Sequence, residues 1–271
     1  MARKVILLCL FILALIPIWF TVIGSLQDIS GVMKMPPRLI PLTFTLSNYK
    51  AMAAWPLIKW TLNTVYLVLS TVAISIIVHV SAGYIFAFYK FKLKSLIWSL
   101  LLLGLIIPRM TLLIPWYVVV KQLGIAGTLT AVMLTSVYSP INLYLARNYF
   151  NSVPKGIMEA ARIDGASDLM ILLHIILPLA LPIIVVIGLF TAVGALTDYV
   201  WPSLVLQKLN VQTLMTGMIK EIMRRGTTDM SINPIGKQFA VSVVLLAPLL
   251  FIFMTANRYF ISGITVGGIK E

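Results

Sequence analysis

Residues 152–182 read SVPKGIMEAARIDGASDLMILLHIILPLALP and interrupt the apolar character of the chain while keeping the signals of helices. Ser152 can cap a helix whose first turn contains Pro154, where the missing N–H has no partner to lose. Gly165 supplies a residue of positive φ that ends this helix. The predicted helix has roughly ten residues, which is too short to cross a bilayer.

A second short helix is predicted directly after the first. Ser167 can cap it, and it runs towards Leu177 before Pro178 and Pro182 end it. The segment is therefore predicted to form a rigid helix-turn-helix between two longer apolar stretches.

The first of these two helices has a small face and a charged pair. The small face consists of Ile157, Ala160, Ala161 and Asp164. Their helical spacing favours close approach of another backbone. Glu159 and Arg162 lie three positions apart, within reach of each other or of a partner.

The composition indicates a helical membrane protein. The 271 residues are 60% hydrophobic and 11% charged, against about 25% charged in an ordinary soluble domain. The mean hydropathy is +1.01, and the apolar runs are continuous rather than alternating, which favours helices over a barrel.

The charge and the few chemically reactive residues exclude several classes of function. The formal charge of +13 comes with no basic cluster interleaved with aromatics, so we expect contact with lipid headgroups and no nucleic-acid partner. Cys9 lies in an apolar run and is predicted to be a small hydrophobic side chain. With His79 and His174 as the only histidines, the sequence provides no nucleophile and base pair and no metal-ligand set.

The fold class predicted is an all-α polytopic membrane protein with six transmembrane helices. The predicted spans are residues 5–23, 62–88, 96–120, 129–149, 181–206 and 239–260. The first span also fits a secretory signal peptide, but no clear cleavage site follows it. Residues 24–61 and 207–237 are predicted loops on the outer side. Gly124 and Gly127 mark a tight turn there.

Several polar residues lie inside the predicted spans. His79 is a functional candidate by position, although a histidine hydrogen-bonded between helices is the commoner case. Pro108 and Pro115 predict a kinked or broken third span, and Arg109 should face the bundle or reach the interface. The sequence does not decide whether Arg109 has a functional or a structural role.

The fourth and fifth spans supply the candidates for a substrate path. Asn142 follows Pro140 in the fourth span. In the fifth span, Asp198, Tyr199 and Trp201 lie near the outer end, where Tyr199 and Trp201 also fit an anchor at the lipid headgroups. Two glycines of this span, Gly188 and Gly194, are predicted to permit close helix contact.

The central segment resembles a known family. The residues that carry the likeness are Glu159, Ala160, Ala161, Asp164, Gly165, Ala166, Ile175, Leu177, Pro178 and Pro182. They resemble the EAA loop of permease subunits of binding-protein-dependent ABC importers, within the sugar-importer branch that includes the smaller maltose-transporter permease. Leu46 to Tyr49 and the tail at 263–270 are also similar to that branch. Thr197-Asp198-Tyr199 departs from it, which leaves a substrate role there open.

The resemblance implies a fold, a role and partners. It implies a single permease domain over residues 1–271, of the ABC type I importer kind, in which residues 151–180 form a cytoplasmic coupling loop that docks on an ATPase. It implies a second homologous permease subunit, an ATPase dimer that carries ATP and Mg, an extracytoplasmic solute-binding protein and a sugar-like substrate. The location implied is a prokaryotic inner membrane, with both termini cytoplasmic.

Two questions stay open at this point. The chain contains no Gly-x-x-x-x-Gly-Lys-Ser/Thr loop, so we expect no ATPase site of its own and no bound cofactor. A secondary transporter that uses Asp198, Arg109 and His79 as an ion relay is the alternative, although no internal repeat supports it. Basic residues number ten on each side of the predicted spans, so positive-inside counting does not fix the topology.

Overall fold

The computed structural model describes residues 2–32, 40, 43–225 and 234–268. Within these ranges the chain is helical and contains no strand. The α-helices are α1 Ala2–Ser25, α2 Ile29–Val32, α3 Ser47–Lys50, α4 Leu57–Phe88, α5 Lys94–Leu102, α6 Leu113–Gln122, α7 Leu129–Val137, α8 Pro140–Ser152, α9 Lys155–Ile163, α10 Asp168–Ile171, α11 Leu177–Leu179, α12 Leu181–Thr197, α13 Val200–Val205, α14 Leu214–Arg225 and α15 Pro234–Gly268. Further turns are 3₁₀-helical at Leu103–Leu105, Arg109–Leu112 and Leu209–Val211, and π-helical at Leu172–Ile176.

The apolar helices account for six membrane spans. Three are single helices, with spanning segments Lys4–Ser25, Leu57–Phe88 and Ile235–Met254. Three more arise if each bent pair counts as one span: Lys94–Leu105 with Arg109–Gln122, Leu129–Val137 with Pro140–Ser152, and Asp168–Leu179 with Leu181–Thr197. The all-α polytopic fold is therefore confirmed. The bends are 103°, 43° and 76° respectively, so half of the spans are not straight rods.

The residues group by their contacts into two compact units. The first comprises Met1–Leu62 and Gln212–Phe251, and the second comprises Asn63–Val211 and Ile252–Glu271. The core of the first unit contains Trp60, which is fully buried against Met218 and Ala240. This packing explains why α4 begins at Leu57, five residues before the predicted start of the second span.

The predicted loops contain helices that the sequence patterns did not indicate. Within 24–61 lie α2, α3 and the first turn of α4, and within 207–237 lies α14. Helix α14 places Leu214 and Met218 in the core of the first unit. The fifth span also ends earlier than predicted, because α12 stops at Thr197 and the separate helix α13 follows.

The second unit contains two apolar clusters. One surrounds Phe150 and Ile187 and joins the end of α4 to α8, α9 and α12. The other surrounds Trp201 and Leu67 and joins α4 to α6, α7 and α13. The predicted turn between α6 and α7 is confirmed, since Gly124 and Gly127 have φ values of 69° and 85°.

Close helix contact occurs at glycines other than those predicted. A Cβ on Gly83 would lie 2.6 Å from the Cβ of Ala146, and one on Gly104 would lie 2.6 Å from Cγ of Pro140. A Cβ on Gly188 would meet only ordinary contacts at 3.6 Å, and one on Gly194 would meet nothing within 4 Å. The prediction for Gly188 and Gly194 is wrong, because the tight crossing lies between α4 and α8.

The tight crossing gives a testable difference between two glycines. Gly83→Ala forces α4 and α8 apart, which we expect to cost about 1–3 kcal/mol. Gly194→Ala is the matched control, because it gains helix propensity without a clash. Melting temperatures of the two purified variants should therefore move in opposite directions or differ by several degrees. A Gly83→Ala variant as stable as Gly194→Ala would contradict the tight crossing.

Candidate functional site

The helix-turn-helix at residues 151–180 begins differently from the prediction. Ser152 is the last residue of α8, and its Oγ donates to the carbonyl of Tyr149 at 2.6 Å. Val153 is extended, with ψ of 129°, because the residue before a proline avoids the helical region. Pro154 then occupies the N-cap of α9. The predicted cap at Ser152 is wrong, although the helix that it was to begin is present.

The turn between the two helices is as predicted. Gly165 has φ of 82°, and a Cβ there would meet nothing within 4 Å, so backbone conformation and not space requires glycine. The N–H of Ala166 donates to the carbonyl of Ala161 at 3.0 Å, which closes the end of α9. Ser167 caps α10 by accepting from the N–H of Met170 at 3.3 Å.

The second helix of the segment is longer than expected. It continues from α10 through the π-helical turn Leu172–Ile176 into α11. Pro178 does not end it, because it lies in the first turn of α11, where no N–H is required. The sharp bend occurs at Ala180, immediately before α12.

A side-chain bridge joins the two helices across the turn. Nη2 of Arg162 donates to Oδ1 of Asp168 at 3.0 Å, and the same guanidinium lies 5.8 Å from the ring centroid of Tyr89. The hydrogen bond to Asp168 raises the pKa of Arg162 above its usual value. Arg162 therefore pairs with Asp168, and not with Glu159.

The buried face of the segment is fixed to the helix bundle. Met158 and Ala161 of α9 and Ile171 of α10 pack in one cluster with Tyr84 and Phe150, which belong to the ends of α4 and α8. Ile171 and Phe150 are fully buried. Force applied to this segment must therefore reach α4 and α8 through packed side chains.

The opposite face of the segment is exposed. Glu159, Ala160 and Asp164 lie on it, so of the predicted small face only Ala161 turns inward. Large apolar side chains accompany them, with Ile163 85% exposed and Leu169 65% exposed. An exposed apolar surface beside carboxylates, on a segment that is rigidly held, is typical of a protein docking surface.

A second candidate site is a cleft in the second unit, where the three bent spans meet. Its volume is about 280 Å³. Residues lining it include Gly104, Ile107, Arg109, Leu112, Trp116, Thr135, Ser136, Tyr138, Ser139, Pro140, Ile141, Asn142, Phe190, Thr191, Gly194 and Ala195. One carbonyl near a break is satisfied by a cleft side chain, since Tyr138 donates its hydroxyl to the carbonyl of Leu101 at the end of α5.

A buried polar network forms one wall of the cleft. Nδ2 of Asn142 donates to Oγ1 of Thr191 at 3.1 Å, and Thr191 lies 3.0 Å from Oγ of Ser75. Oδ1 of Asn142 has no hydrogen-bond partner within the described part of the chain, and the residue is only 1% exposed. An acceptor without a partner in a polar cleft is a candidate contact for a ligand hydroxyl.

His79 has a structural role in this network. Its Nε2 accepts from the N–H of Ser139 at 3.0 Å, so Nδ1 carries the proton and donates to the carbonyl of Ser75 at 2.7 Å. The side chain is fully buried. This neutral histidine holds the break between α7 and α8 against α4, which is the commoner of the two roles considered.

Arg109 and Asp198 form an ion pair at the cleft. Nη2 of Arg109 donates to Oδ2 of Asp198 at 3.0 Å, and the two side chains are 51% and 11% exposed. Oδ1 of Asp198 accepts from the N–H of Trp201 at 3.3 Å and so begins α13. Arg109 also lies 5.6 Å from the ring of Trp116. The pair presents a dipole and no net charge.

The structure separates the four predicted path residues. Asn142 lines the cleft and Asp198 reaches it through Arg109, whereas Tyr199 and Trp201 are not among the described lining residues. Trp201 is 1% exposed, packs against Trp116 at 5.8 Å and donates Nε1 to the carbonyl of Ala131. Its surroundings are those of a core residue.

The cleft also contains residues that sequence reasoning missed, notably Thr191, Tyr138 and Trp116. The sequence contained one signal of a buried polar face. Polar residues recur every four positions on one face of α4, at Thr71, Ser75 and His79, and all three are fully buried. Hydroxyls, an amide and aromatic rings in one cleft can bind a polyhydroxylated ligand by hydrogen bonding and stacking. Within the described residues no cluster of His, Cys, Asp or Glu could hold a metal ion.

Comparisons with known proteins agree with this architecture. The chain is 30% identical over 262 residues to the arabinooligosaccharides transport system permease protein AraQ of Halalkalibacterium halodurans, covering 95% of this chain and 92% of that protein. It is 30% identical to the galactooligosaccharides transport system permease protein GanQ of Bacillus subtilis, covering 86% and 82%. It is also 30% identical to the maltodextrin transport system permease protein MdxG of Bacillus subtilis, covering 84% and 81%.

A solved structure and a family pattern complete the comparison. A chain in the crystal structure of a bacterial ABC transporter involved in the import of the acidic polysaccharide alginate has the same fold, with a TM-score of 0.81 over 96% of this chain and 95% of that one, at 24% sequence identity. Residues 79–266 match the family described as binding-protein-dependent transport system inner membrane component. This protein therefore belongs to the family of inner membrane components of binding-protein-dependent transport systems.

Proposed function

We propose that this chain is a permease subunit of an ATP-driven ABC importer and forms half of the path of a sugar or related polyol or glycoside. The observation that carries the proposal is the rigid helix-turn-helix at residues 151–180, which is exposed on one face and packed onto α4 and α8 on the other. The permease names of the three relatives, each for an oligosaccharide or dextrin, support the sugar class.

The helix-turn-helix acts as a coupling loop between an ATPase and the membrane helices. Glu159, Ala160 and Asp164 lie on its exposed face, and Gly165 with Ala166 sets the angle between α9 and α10. Burial of Ile163 and Leu169 in a groove of the partner would contribute about 1.5–3 kcal/mol for each side chain. Closing of the ATPase dimer then moves α9 and α10 as one body, because Met158 and Ala161 of α9 pack in one buried cluster with Ile171 of α10.

The partners proposed supply three functions that this chain does not provide alone: ATP hydrolysis, the other half of the path and delivery of the substrate. A second homologous permease completes the path, and an extracytoplasmic solute-binding protein delivers the substrate. ATP and Mg bind to the ATPase dimer in this proposal, which is supported by the lack of a Gly-x-x-x-x-Gly-Lys-Ser/Thr motif in this chain. The single permease domain lies in the inner membrane of a prokaryote, with the coupling loop and both termini cytoplasmic.

The cleft is the proposed substrate path of this subunit. Asn142 offers an acceptor without a partner, and Trp116 and Phe190 offer apolar rings beside it. Asp198 contributes by neutralising Arg109. Tyr199 and Trp201 were also predicted for the path. Trp201 packs in the second apolar cluster and Tyr199 lies directly before α13, so both support the path from outside the cleft.

The ion-gradient alternative lacks support from both the site and the comparisons. His79 is held by Ser75 and Ser139, and Arg109 is paired with Asp198, so the three groups do not face one another as a relay. Uptake by reconstituted transporter is expected to follow ATP and to ignore ionophores that collapse proton and sodium gradients. Uptake that collapses with the gradient while ATP is present would contradict the importer.

Removing the charge of Asp198 tests the path. Asp198→Asn keeps an oxygen to accept from Trp201 but leaves Arg109 without its counter-ion. We expect sugar uptake to fall roughly tenfold or more, equivalent to about 1.4 kcal/mol. The double variant Arg109→Gln/Asp198→Asn removes both charges and should recover part of the uptake.

The same variants distinguish a path from a mere anchor. If Asp198 served only to begin α13, Asp198→Asn would retain full uptake, because asparagine is an equally good helix cap. A melting temperature close to that of the unmodified protein would show that any loss of uptake is not loss of folding.

A further inference from the structure

A group of cations lies at the end of α4, beside the coupling loop and away from the cleft. Nζ of Lys94 donates to the carbonyl of Tyr89 at 2.8 Å, and its charge is repelled by Arg147, Lys155 and Lys90. No ion pair joins these four to an acidic side chain within the described part of the chain. Like charges gathered without a counter-ion are unfavourable unless an anion joins them.

Arg147 is held in a fixed orientation within this group. Its guanidinium carbon lies 4.1 Å from the ring centroid of Trp98, close enough for a strong cation–π contact. Its Nε is buried and has no hydrogen-bond partner among the described residues, while the residue as a whole is partly exposed. A guanidinium stacked on an aromatic ring can still donate its terminal N–H groups to the oxygens of a phosphate.

An exposed apolar elbow adjoins the cations. Leu93 has φ of 62°, and it is the only residue other than glycine in the left-handed region within the described ranges. This conformation turns the chain sharply between α4 and α5 and leaves Leu93 66% exposed. Leu96 and Phe91 are 53% and 38% exposed beside it. Apolar side chains therefore alternate in sequence with Lys90, Lys92 and Lys94.

The combination indicates the chemistry of the ligand. A soluble phosphate would bind to the cations but would make no use of the apolar elbow. An acidic protein surface would likewise bind to the cations without requiring the elbow. An anionic phospholipid requires both, with its phosphate on the cations and its acyl chains along the elbow. Because α4 is a long apolar span, we infer that its end lies near the lipid headgroups.

We propose that Lys94 and Arg147, with Lys90 and Lys155, bind the phosphate of an anionic phospholipid at the end of α4. The bound lipid neutralises cations that surround the junction of α4, α5, α8 and α9. It thereby stabilises the end of α4 on which the coupling loop packs. The site is independent of the substrate and of the proposed direction of transport.

The test compares lipids on the intact transporter assembly. The assembly is reconstituted in nanodiscs of phosphatidylcholine with or without phosphatidylglycerol, and native mass spectrometry counts the phosphatidylglycerol retained. Lys94→Gln/Arg147→Gln should reduce the association constant for phosphatidylglycerol by roughly 30-fold, since each cation lost weakens binding about fivefold. Lys59→Gln/Lys121→Gln removes the same charge elsewhere and should leave retention unchanged.

Two outcomes would overturn the proposal. The first is equal retention of phosphatidylglycerol by the Lys94→Gln/Arg147→Gln variant and its control. The second is displacement of the lipid by millimolar inorganic phosphate, which would indicate a site for a soluble anion. If the double variant fails to fold, Arg147→Lys, which keeps the charge but not the planar fork, should lose part of the preference for phosphatidylglycerol.

Discussion

Gly165→Pro is expected to abolish ATP-driven uptake and to reduce recovery of the ATPase with the permease. Proline fixes φ near −65°, whereas Gly165 requires φ of 82° to turn the chain from α9 to α10. The substitution also removes the N–H that donates to the carbonyl of Arg162 at 3.1 Å. A cost of about 3 kcal/mol or more at the turn would separate the two helices that present the docking face.

The controls for this variant separate backbone conformation from side-chain volume. Gly165→Asn should retain much of the uptake, because asparagine enters the left-handed region more easily than other residues. Gly156→Ala lies in the same segment, meets nothing within 4 Å and should be fully active. Uptake assays and pull-down of the ATPase measure both effects. Full activity of Gly165→Pro would show that the turn geometry has no part in coupling.

Glu159→Lys is expected to abolish uptake while the permease itself stays folded. Glu159 is exposed on α9, and exposed substitutions usually change stability by no more than about 0.5 kcal/mol. The reversed charge would instead oppose a partner surface that accepts a carboxylate, and juxtaposed like charges across an interface cost several kcal/mol. Purified Glu159→Lys should therefore melt normally but copurify with little ATPase.

Glu159→Gln distinguishes loss of charge from its reversal. It keeps the shape of the side chain, so it should reduce copurification of the ATPase less than Glu159→Lys does. An unfolded Glu159→Lys permease would indicate that the residue supports the fold, and unimpaired copurification would remove it from the docking face.

The sequence predicted the helix-turn-helix at residues 151–180 well because its signals are local. The left-handed glycine at Gly165 and the cap at Ser167 depend on neighbours within a few residues, and both are confirmed. The predicted cap at Ser152 is wrong because Pro154 restricts Val153 to the extended region, so the break between α8 and α9 falls after Ser152. The π-helical turn at Leu172–Ile176 has no sequence signal of comparable strength.

The cleft could be predicted only in part because distant residues form it. Pro108 and Pro115 indicated that the third span would be kinked or broken, and a bend of 103° is present there. The pairing of Arg109 with Asp198 and of Asn142 with Thr191 depends on how the bent spans approach. For Trp201, a Trp near a span end suits both an interface and a core, and only tertiary packing distinguishes them.

The most direct test of the coupling loop is a crosslink from position 159 to the ATPase. Cys9 is the single cysteine, so Glu159→Cys in a Cys9→Ser background gives one reactive thiol on the exposed face of α9. A bifunctional reagent applied to the assembled transporter should join this thiol to the ATPase, and a membrane-impermeant thiol reagent outside intact cells should not label it. Labelling from outside, or no crosslink in an assembly that retains its ATPase, would contradict the coupling role.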